Sequence, residues 1–521
     1  MVTCESVSPY FTPMALHLLT IQHWLRKHAI HRPQHPAIIF EDKRLTYLQL
    51  YKEVNRLSNS FIAAGIRKGD KVATLLSNSM ELWEVYWACA AIGAVAVPLS
   101  PLLRGDGLYN LLENAGTKLI ITNEHLTEHV DAIRKKLKHI SQENFWVTDT
   151  FEDGYSNYHT QKEQESSEPP DVTEVTGDEP YNIIYSSGTT GLPKGIVISH
   201  AVRALYGSLF ANAFRMTPES IVMHSGSIIF NGSFLTLMPA MFLGCTYVLM
   251  SHYDANDVVD IIRKENVTHT ILVPSQVIGC LQKPDFNKKF LSSLEYILSV
   301  GAPLLLEQKL ELNKRVPHVF YELYGLTEGF MTILDKNDAM RKTGSVGTAP
   351  QFMDVKIVND GGEELPPGAI GEIVGKGPLL MTEYYKNPEQ TKEAIKDGWL
   401  FTGDLGYVDK DGFLFLTGRK KDLIISGGVN VYPGDIEEIV IRHPAVKDVA
   451  VFGVPHVEWG ETPIAAVVLE DGVAVTSLEI KYWANQNLEA RYQKIYEVII
   501  MTELPRNAAG KILKRELREN F

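Results

Sequence analysis

Apolar positions in the first half of the chain alternate between helical spacing and strand-like runs. Residues 47–64 carry apolar side chains at helical spacing, with Thr46 as a suitable N-cap and Gly65 after the last turn. A second helix is predicted at 80–92. Short buried strands are predicted at 71–76, 94–98, 119–122, 270–273 and 296–299. This alternation predicts an α/β fold in which helices cover parallel sheets.

The pattern changes after about residue 344. Strand signals such as 355–358 and 413–416 are short there and are separated by Gly and Asp turns. The C-terminal part of the chain mixes strands with helices, which predicts a small separate domain. Earlier in the chain, the polar and acidic segment 149–179 contains Pro169-Pro170 and predicts a surface loop.

One apolar segment could be mistaken for a membrane span. Residues 228–250 carry no formal charge and are long enough to imitate one. The run is interrupted by Asn231, Gly232, Pro239 and Gly244. These interruptions favour a buried helix followed by a buried strand, so no membrane span is predicted.

Composition narrows the choice of function. The 521-residue chain has a net charge of −13, which argues against broad nucleic-acid binding because that binding uses Lys and Arg to neutralise phosphates. The cysteines lie far apart in the sequence and form no C-x-x-C pair: Cys4, Cys89, Cys245 and Cys280. Neither a disulfide framework nor a zinc site is predicted, and a reducing, cytoplasmic location is expected.

The densest group of chemistry-bearing residues is the loop from Ser186 to Gly195. Glycines let backbone N–H groups turn toward an anion, while hydroxyl and ammonium groups add further donors. The candidate phosphate-binding residues are Ser186, Ser187, Gly188, Thr189, Thr190, Gly191 and Lys194. Predicted strands at 181–185 and 196–198 flank the loop, whereas a Walker loop would open a helix. Taken alone, the loop could also be a flexible hairpin without a ligand.

This loop resembles the signature of the adenylate-forming superfamily, which includes acyl-CoA synthetases, peptide-synthetase adenylation domains and luciferases. Three further segments resemble its other motifs, in the same order and over most of the chain. They are Tyr-Gly-Leu-Thr-Glu at 324–328, Thr-Gly-Asp at 402–404 with Gly-Arg-Lys-Lys-Asp at 418–422, and Pro-Arg-Asn-Ala-Ala-Gly-Lys at 505–511. Each motif is weak alone, but four in sequence are specific, and acyl-CoA synthetases are the most similar branch.

The resemblance implies a domain division. A large N-terminal domain would cover 1–419, with helix-covered parallel sheets and a small β-subdomain. Its subdomains would be roughly 1–178, 179–343 and 344–419. Residues 420–421 would form a hinge, with Lys421 as its matching residue, and 422–521 a small mobile α+β domain.

The resemblance also assigns the nucleotide site. Glu328 would bind Mg²⁺, Thr327 would contact phosphate, and Tyr324 would lie against adenine; a capped turn is the alternative for this segment. Asp404 and Arg419 would bind the ribose, although each could equally be an ordinary surface residue. The remaining ATP-binding candidates are Gly301, Ala302, Pro303, Glu322 and Gly325.

Lys511 is the implied catalytic lysine, acting with Thr327 and Glu328. Adenylation joins a carboxylate to a phosphate, so two anions must meet, and a lysine between them offsets their repulsion. Rotation about the hinge would then withdraw Lys511 and bring Ser426, Gly427 and Gly428 to the thiol channel. Small residues there would let a thin pantetheine arm pass. An ordinary turn is the alternative for the two glycines.

The acyl pocket is expected around Phe230, Asn231, Gly232 and Gly325. Relatives that activate amino acids carry an Asp at the position of Asn231, where it binds the substrate ammonium. A neutral Asn cannot pair with a buried ammonium at that strength, so α-amino acids are not expected as substrates. Many acyl-CoA synthetases have a His there, so this departure affects the acyl-binding details. The apolar neighbours suit a fatty or aryl acid, or are ordinary core.

The hypothesis is therefore a carboxylic acid–coenzyme A ligase that uses ATP, Mg²⁺ and coenzyme A. Its partners would be small molecules, and a homodimer is a possible assembly. The alternatives are an enzyme that loads a separate carrier protein and a non-catalytic nucleotide-binding protein. A modular synthetase is not expected, because no carrier domain follows Lys511 in this sequence. A serine hydrolase is disfavoured because no G-x-S-x-G motif occurs.

Overall fold

A computed structural model describes residues 18–149, 153–186, 194–488, 490–506 and 512–521. Its helices are α1 (Trp24–His31), α2 (Tyr47–Ala63), α3 (Met80–Ile92), α4 (Gly105–Ala115), α5 (Thr127–Arg134), α6 (Tyr158–Glu163), α7 (His200–Ala213), α8 (Phe234–Leu243), α9 (Ala255–Glu265), α10 (Pro274–Leu281), α11 (Leu306–Arg315), α12 (Pro388–Ala394), α13 (Pro433–Val440), α14 (Ser477–Asn487) and α15 (Lys514–Glu519).

The strands of the first half are β1 (Pro36–Phe40), β2 (Lys43–Thr46), β3 (Lys71–Leu75), β4 (Val95–Leu99), β5 (Thr117–Thr122), β6 (Phe145–Val147), β7 (Ser156–Asn157), β8 (Pro180–Ser186), β9 (Lys194–Ser199), β10 (Ile221–His224) and β11 (Thr246–Leu249). They continue as β12 (His269–Leu272), β13 (Tyr296–Val300), β14 (Phe320–Gly325), β15 (Met331–Leu334), β16 (Asp354–Val358), β17 (Gly371–Lys376), β18 (Glu383–Tyr384), β19 (Ile395–Lys396), β20 (Trp399–Val408), β21 (Leu414–Arg419), β22 (Ile424–Ser426), β23 (Val429–Val431), β24 (Val446–His456), β25 (Gly460–Leu469) and β26 (Glu497–Met501).

Two large sheets dominate the described part of the chain. One has the order β15-β14-β13-β12-β10-β11-β1-β2 and is parallel from β14 to β1. The other has the order β18-β9-β8-β4-β3-β5-β6-β7 and is parallel from β8 to β7. The predicted helix-covered parallel sheets are confirmed.

Two smaller sheets follow later in the chain. The third has the order β16-β17-β20-β19, with β21 beside β20, and the fourth has the order β23-β22-β25-β24, with β26 beside β25. The fourth sheet and its helices form the smaller C-terminal part that the sequence predicts. Strands β1 and β2, which precede residue 178, belong to the sheet formed by β10–β15. Strands β8 and β9, which follow residue 179, belong to the sheet formed by β3–β7. The two large sheets therefore do not coincide with the predicted division at 178/179. That division stays a prediction about folding units.

Local signals placed several elements correctly. The Thr46 side chain accepts from the backbone N–H of Gln49 at 3.3 Å, and the Gln49 side chain accepts from the N–H of Thr46 at 2.9 Å, which makes a capping box at the start of α2. Helix α3 has the predicted limits. The apolar segment 228–250 contains α8 followed by β11, as predicted. Over the residues described, none of the helices has the length and apolar character that crossing a membrane requires.

The predicted surface loop at 149–179 is wrong in part, because it contains β7 and α6. The ammonium of Lys162 lies 2.9 Å from a carboxylate oxygen of Glu84 in α3, and both residues are buried. The Tyr158 hydroxyl donates to the same oxygen at 2.6 Å. Burial raises the pKa of Glu84, and Lys162 opposes that effect. The segment folds because this polar contact, invisible to local periodicity, docks it on α3.

Replacing Lys162 by Met should strongly destabilise the protein. The substitution leaves the buried Glu84 carboxylate without its cation, a loss that typically costs about 3–5 kcal/mol in the free energy of unfolding. Urea unfolding followed by fluorescence measures it. The double variant Lys162→Met/Glu84→Gln should recover most of the loss. Lys136→Met removes an exposed pair with Asp106 and should leave the unfolding curve unchanged. Equal unfolding curves for Lys162→Met and Lys136→Met would contradict the assignment.

Candidate active site

The carboxyl ends of the parallel strands in the first sheet lie along one edge, where ligand sites of α/β sheets commonly form. Strand β13 is followed by the exposed residues Gly301, Ala302 and Pro303. Its neighbour β14 runs parallel, with Val300 opposite Leu323. The segment 301–303 and the segment that begins at Tyr324 therefore emerge side by side.

The turn that carries Glu328 is tightly constrained. Gly329 has φ +104°, and a Cβ atom there would lie 2.0 Å from the carbonyl oxygen of Leu379, so only glycine fits. The N–H of Met381 donates to the carbonyl oxygen of Glu328 at 2.8 Å. The backbone of Glu328 is thus held in place by a segment about fifty residues later in the chain.

Tyr384 connects this turn to the phosphate loop. Its hydroxyl donates to Oε1 of Glu328 at 2.8 Å, and the ammonium of Lys194 lies 4.8 Å from the centre of its ring. Strand β18 pairs antiparallel with β9, which places Tyr384 opposite Ile196. Burial, with Glu328 beside it, raises the pKa of Tyr384, so the phenol stays protonated and acts as a donor.

The predicted strands on both sides of the phosphate loop are confirmed. Strands β8 and β9 form an antiparallel hairpin in which Ser186 lies opposite Lys194. Ser187, Gly188, Thr189, Thr190 and Gly191 lie outside the described residues. The described ends nevertheless fix where the loop leaves and rejoins the sheet, next to Tyr384.

A second set of contacts surrounds Asp404. The hydroxyl of Tyr324 donates to Oδ2 of Asp404 at 2.7 Å, and Nε of Arg419 lies 2.9 Å from Oδ1. Asp404 in β20 and Arg419 in β21 are direct partners across the third sheet. Burial raises the pKa of Tyr324, and the neighbouring Asp404 adds to the increase. Tyr324 therefore joins the edge of the first sheet to the third sheet.

Glu322 and Lys309 form a buried ion pair, and the side chain of each is less than 10 % exposed. Burial raises the pKa of Glu322, while Lys309 opposes the increase. The carboxylate of Glu322, a predicted ATP-binding residue, is therefore already engaged in an ion pair. No motif in the sequence points to Lys309 as its partner.

The segment expected to form the acyl pocket lies between β10 and α8. Asn231, Gly232 and Ser233 form a short 3₁₀ turn. Asn78 pins the preceding loop, because its side chain donates to the carbonyl of Gly226 at 2.6 Å and accepts from the N–H of Ile228 at 2.9 Å. Oδ1 of Asn231 has no hydrogen-bond partner among the described residues.

Comparisons with known proteins identify the family. A family model described as AMP-binding enzyme matches residues 25–385, and one described as AMP-binding enzyme C-terminal domain matches residues 435–511. The chain belongs to the AMP-binding enzyme family. The resemblance to adenylate-forming enzymes is thereby confirmed.

Individual relatives match this AMP-binding enzyme over nearly its whole length. Indoleacetate–CoA ligase from Aromatoleum aromaticum is 33 % identical over 96 % of this chain and 98 % of its own. Long-chain-fatty-acid–CoA ligase FadD13 from Mycobacterium tuberculosis is 34 % identical over 95 % of this chain and 97 % of its own. The structure of ATP-bound MatB from Rhodopseudomonas palustris superposes with a TM-score of 0.88 at 29 % identity, covering 96 % of this chain and 99 % of its own.

The expected hinge of this AMP-binding enzyme is a short 3₁₀ turn, Lys420–Asp422. Lys420 lies 3.0 Å from Glu372 and 2.9 Å from Asp360, which ties the turn to the third sheet. Lys421, in the middle of the same turn, is exposed. The expected hinge residue, Lys421, thus follows directly after Lys420, the residue whose ion pairs tie the turn to the third sheet.

The expected thiol-channel segment begins at the end of β22. Ser426 is buried, and Gly427 and Gly428 have φ values of +61° and +78°. A Cβ on Gly427 would lie 2.8 Å from the ring of Trp459, a close neighbour that the sequence did not predict. Lys511 lies outside the described residues, while Arg506 and Ile512 on either side of its loop form an antiparallel bridge.

Proposed function

We propose that this AMP-binding enzyme is an ATP-dependent carboxylic acid–coenzyme A ligase. In the first step a carboxylate oxygen bonds to the α-phosphorus of ATP, and the bond to pyrophosphate breaks. In the second step the thiol of coenzyme A takes the acyl group and AMP leaves. The observation that supports this best is the pair of contact chains, Lys194–Tyr384–Glu328 and Tyr324–Asp404–Arg419, at adjoining edges of the sheets.

The first contact chain suits the phosphates of ATP. The chain as a whole carries a net charge of −13, so positive charge has to be concentrated locally to bind a polyphosphate. Lys194 supplies an ammonium at the base of the hairpin, and the loop of Ser186, Ser187, Gly188, Thr189, Thr190 and Gly191 supplies N–H and hydroxyl donors. Thr327 would add a hydroxyl from the neighbouring turn.

The second contact chain suits the nucleoside. A carboxylate accepts hydrogen bonds from a ribose diol, and Asp404 is already oriented by Tyr324 and Arg419. Adenine would lie against Tyr324, with Gly301, Ala302, Pro303, Glu322 and Gly325 around it. Because Glu322 pairs with Lys309, any contact from Glu322 would use its backbone.

Glu328 is the proposed Mg²⁺ ligand. Glu328 is partly exposed, and among the described residues Tyr384 holds its Oε1, which leaves Oε2 for an oxygen-preferring cation. A carboxylate combined with substrate phosphates is the donor set that Mg²⁺ commonly takes in nucleotide sites. When bound, the ion would neutralise charge on the departing pyrophosphate.

The C-terminal domain would deliver and remove the catalytic lysine. Lys511 would lie between the two anions during adenylation, and rotation at Lys421 would then withdraw it. The same rotation would present Ser426, Gly427 and Gly428, where one small side chain and two glycines leave room for the pantetheine arm.

The acid is proposed to be bound around Phe230, Asn231, Gly232 and Gly325. Asn231 carries no charge for a substrate ammonium, which disfavours α-amino acids. The apolar neighbours and the relatives named for indoleacetate and for long-chain fatty acids support a fatty or aryl acid. The described cysteines, Cys89, Cys245 and Cys280, are free and buried, which is consistent with the proposed cytoplasmic location.

A panel of carboxylic acids tests the proposal. Purified enzyme with ATP and Mg²⁺ should release pyrophosphate with at least one fatty or aryl acid, and addition of coenzyme A should yield the thioester and AMP. Pyrophosphate release without thioester, restored by a separate carrier protein, would favour the carrier-loading alternative. Absence of pyrophosphate release across the panel, despite ATP binding, would favour a non-catalytic nucleotide-binding protein.

Lys511→Ala should separate the two half-reactions. We expect adenylation to fall by about a hundredfold or more, because the charge between two anions is lost. Thioester formation from a preformed acyl-adenylate should change little, because Lys511 has been withdrawn by then. Lys514→Ala, in the adjacent helix, is the matched control, and single-turnover assays measure both steps. Equal losses in the two half-reactions would contradict this division of roles.

Tyr384→Phe should weaken the response to Mg²⁺. The substitution removes the hydroxyl that positions Glu328, and a hydrogen bond to a charged group is typically worth about 1.5–3 kcal/mol, or roughly a tenfold or larger change. We expect kcat/KM for ATP to fall and the Mg²⁺ concentration for half-maximal activity to rise. Tyr385→Phe is the control, since its hydroxyl donates to the carbonyl of Ala115 at 3.3 Å and not to Glu328. An unchanged Mg²⁺ requirement would overturn this role.

A further inference from the structure

A group of buried polar atoms lies beside the expected acyl pocket and is not used by the mechanism proposed above. Four side-chain atoms there have no hydrogen-bond partner among the described residues: Nη1 of Arg203, Nδ2 of Asn182, the hydroxyl of Tyr206 and Oδ1 of Asn231. Buried polar atoms are nearly always paired, so such a concentration leaves hydrogen-bonding capacity that a further partner would complete.

Arg203, in α7, is the unusual member of the group because it is fully buried without a carboxylate. Its Nε and Nη2 both donate to Oδ1 of Asn182 at 3.3 Å. Its guanidinium lies 3.9 Å from the ring centre of Phe234 and 5.1 Å from that of Tyr206. The ionisable groups that act on it are tyrosines, whose phenols burial keeps protonated and neutral, and none of the acidic residues in the described part of the chain forms an ion pair with it.

The charge on Arg203 persists at neutral pH. Burial lowers the pKa of Arg203 to about 10, which leaves the guanidinium protonated. An uncompensated buried cation is costly, whereas an anionic ligand that enters its environment gains a strong, charge-assisted hydrogen bond.

The orientation of Asn182 is determined by this contact. A guanidinium can only donate, so the amide oxygen must face Arg203 and the amide nitrogen must face away. Nη1 of Arg203 and Nδ2 of Asn182 are then free to donate, while the hydroxyl of Tyr206 lies against the side chain of Asn231. A cluster with this excess of donors suits an acceptor ligand, and its positive charge favours an anion.

The cluster borders the acyl segment directly. Phe234, which packs on the guanidinium, is the first residue of α8 and follows the 3₁₀ turn Asn231–Ser233. Tyr206 lies next to Asn231: burial raises the pKa of Tyr206, and Arg203 and the side chain of Asn231 oppose the increase. Helix α7 packs along α8, so Arg203 and Tyr206 lie one helical turn apart beside the same segment.

We infer that Arg203 binds a second carboxylate of the acyl substrate, so that the preferred acid is a dicarboxylic acid with an apolar middle. This inference rests on the proposed ligase function and specifies its substrate class. One carboxylate is activated at the α-phosphate, and the other is held by Arg203 with Asn182 and Tyr206. The apolar residues around Phe230 would contact the part of the acid between them.

Matched pairs of acids test this assignment. Hexanoate is compared with adipate, and phenylacetate with homophthalate, so that each pair differs by one carboxylate. The wild-type enzyme should have the higher kcat/KM for the dicarboxylate of at least one pair. Arg203→Met should reduce that preference about 10- to 100-fold, the range expected for a charge-assisted hydrogen bond, while leaving the monocarboxylate nearly unchanged.

Two controls separate recognition from structure. Arg215→Met removes an arginine that pairs with Asp335 near the surface at 2.7 Å, and it should leave the preference intact. Arg203→Lys keeps the charge and should retain part of the preference, which also covers the case in which the Met variant fails to fold. A structural role would lower kcat/KM for both acids of a pair by the same factor.

The outcomes distinguish this inference from the proposed function. Pyrophosphate release with monocarboxylates only would overturn the inference and leave the ligase function standing. A dicarboxylate preference that Arg203→Met does not reduce would do the same. If no acid supports pyrophosphate release, the ligase function fails, and thermal stabilisation of the protein by adipate relative to hexanoate still tests the anion site. Stabilisation that is lost in Arg203→Met would support the site, and equal stabilisation by both acids would overturn it.

Discussion

The short pairing of β18 with β9 is the contact on which the candidate active site depends. It has only two residue pairs, Glu383 with Val197 and Tyr384 with Ile196. Backbone hydrogen bonds extend it on both sides, from Thr382 to Val197 at 2.9 Å and from Tyr385 to Gly195 at 2.7 Å. Because backbone pairing fixes both register and side-chain direction, the ring of Tyr384 has one position relative to the phosphate hairpin.

The position of Tyr384 places it in contact with two motifs, the phosphate hairpin and the Glu328 turn. The ammonium of Lys194 lies next to the ring of Tyr384, and the carboxylate of Glu328 accepts a hydrogen bond from the hydroxyl of the same tyrosine. A phenol can serve both because its ring face attracts a cation while its O–H donates to an anion. The cation and the carboxylate are therefore held apart from each other without pairing directly, and each remains available to a bound nucleotide and its metal.

Much of this architecture is present in local sequence patterns, and the rest depends on distant contacts. The limits of α3 and the strands around the phosphate loop follow from spacing and turn residues, which act over a few positions. Tyr384 and Glu328 are 56 positions apart, and no periodicity records their contact. Helix α6 was expected as loop for the same reason, because what orders it is Lys162 reaching Glu84 in a different helix.

The burial of a charged residue indicates the proposed acid site better than the residue types in the sequence do. From the sequence, the acyl pocket is expected around Phe230, Asn231 and Gly232, and no prediction concerns Arg203. Only the fold shows that Arg203 is buried beside that pocket without an acidic partner. The proposed nucleotide contacts come from the phosphate hairpin, the Glu328 turn and the β20–β21 pair, whereas the proposed acid site is flanked by α7 and α8. Since these helices contribute none of the described contacts of Lys194, Glu328 or Asp404, their side chains can change with the acid while the phosphate chemistry is retained.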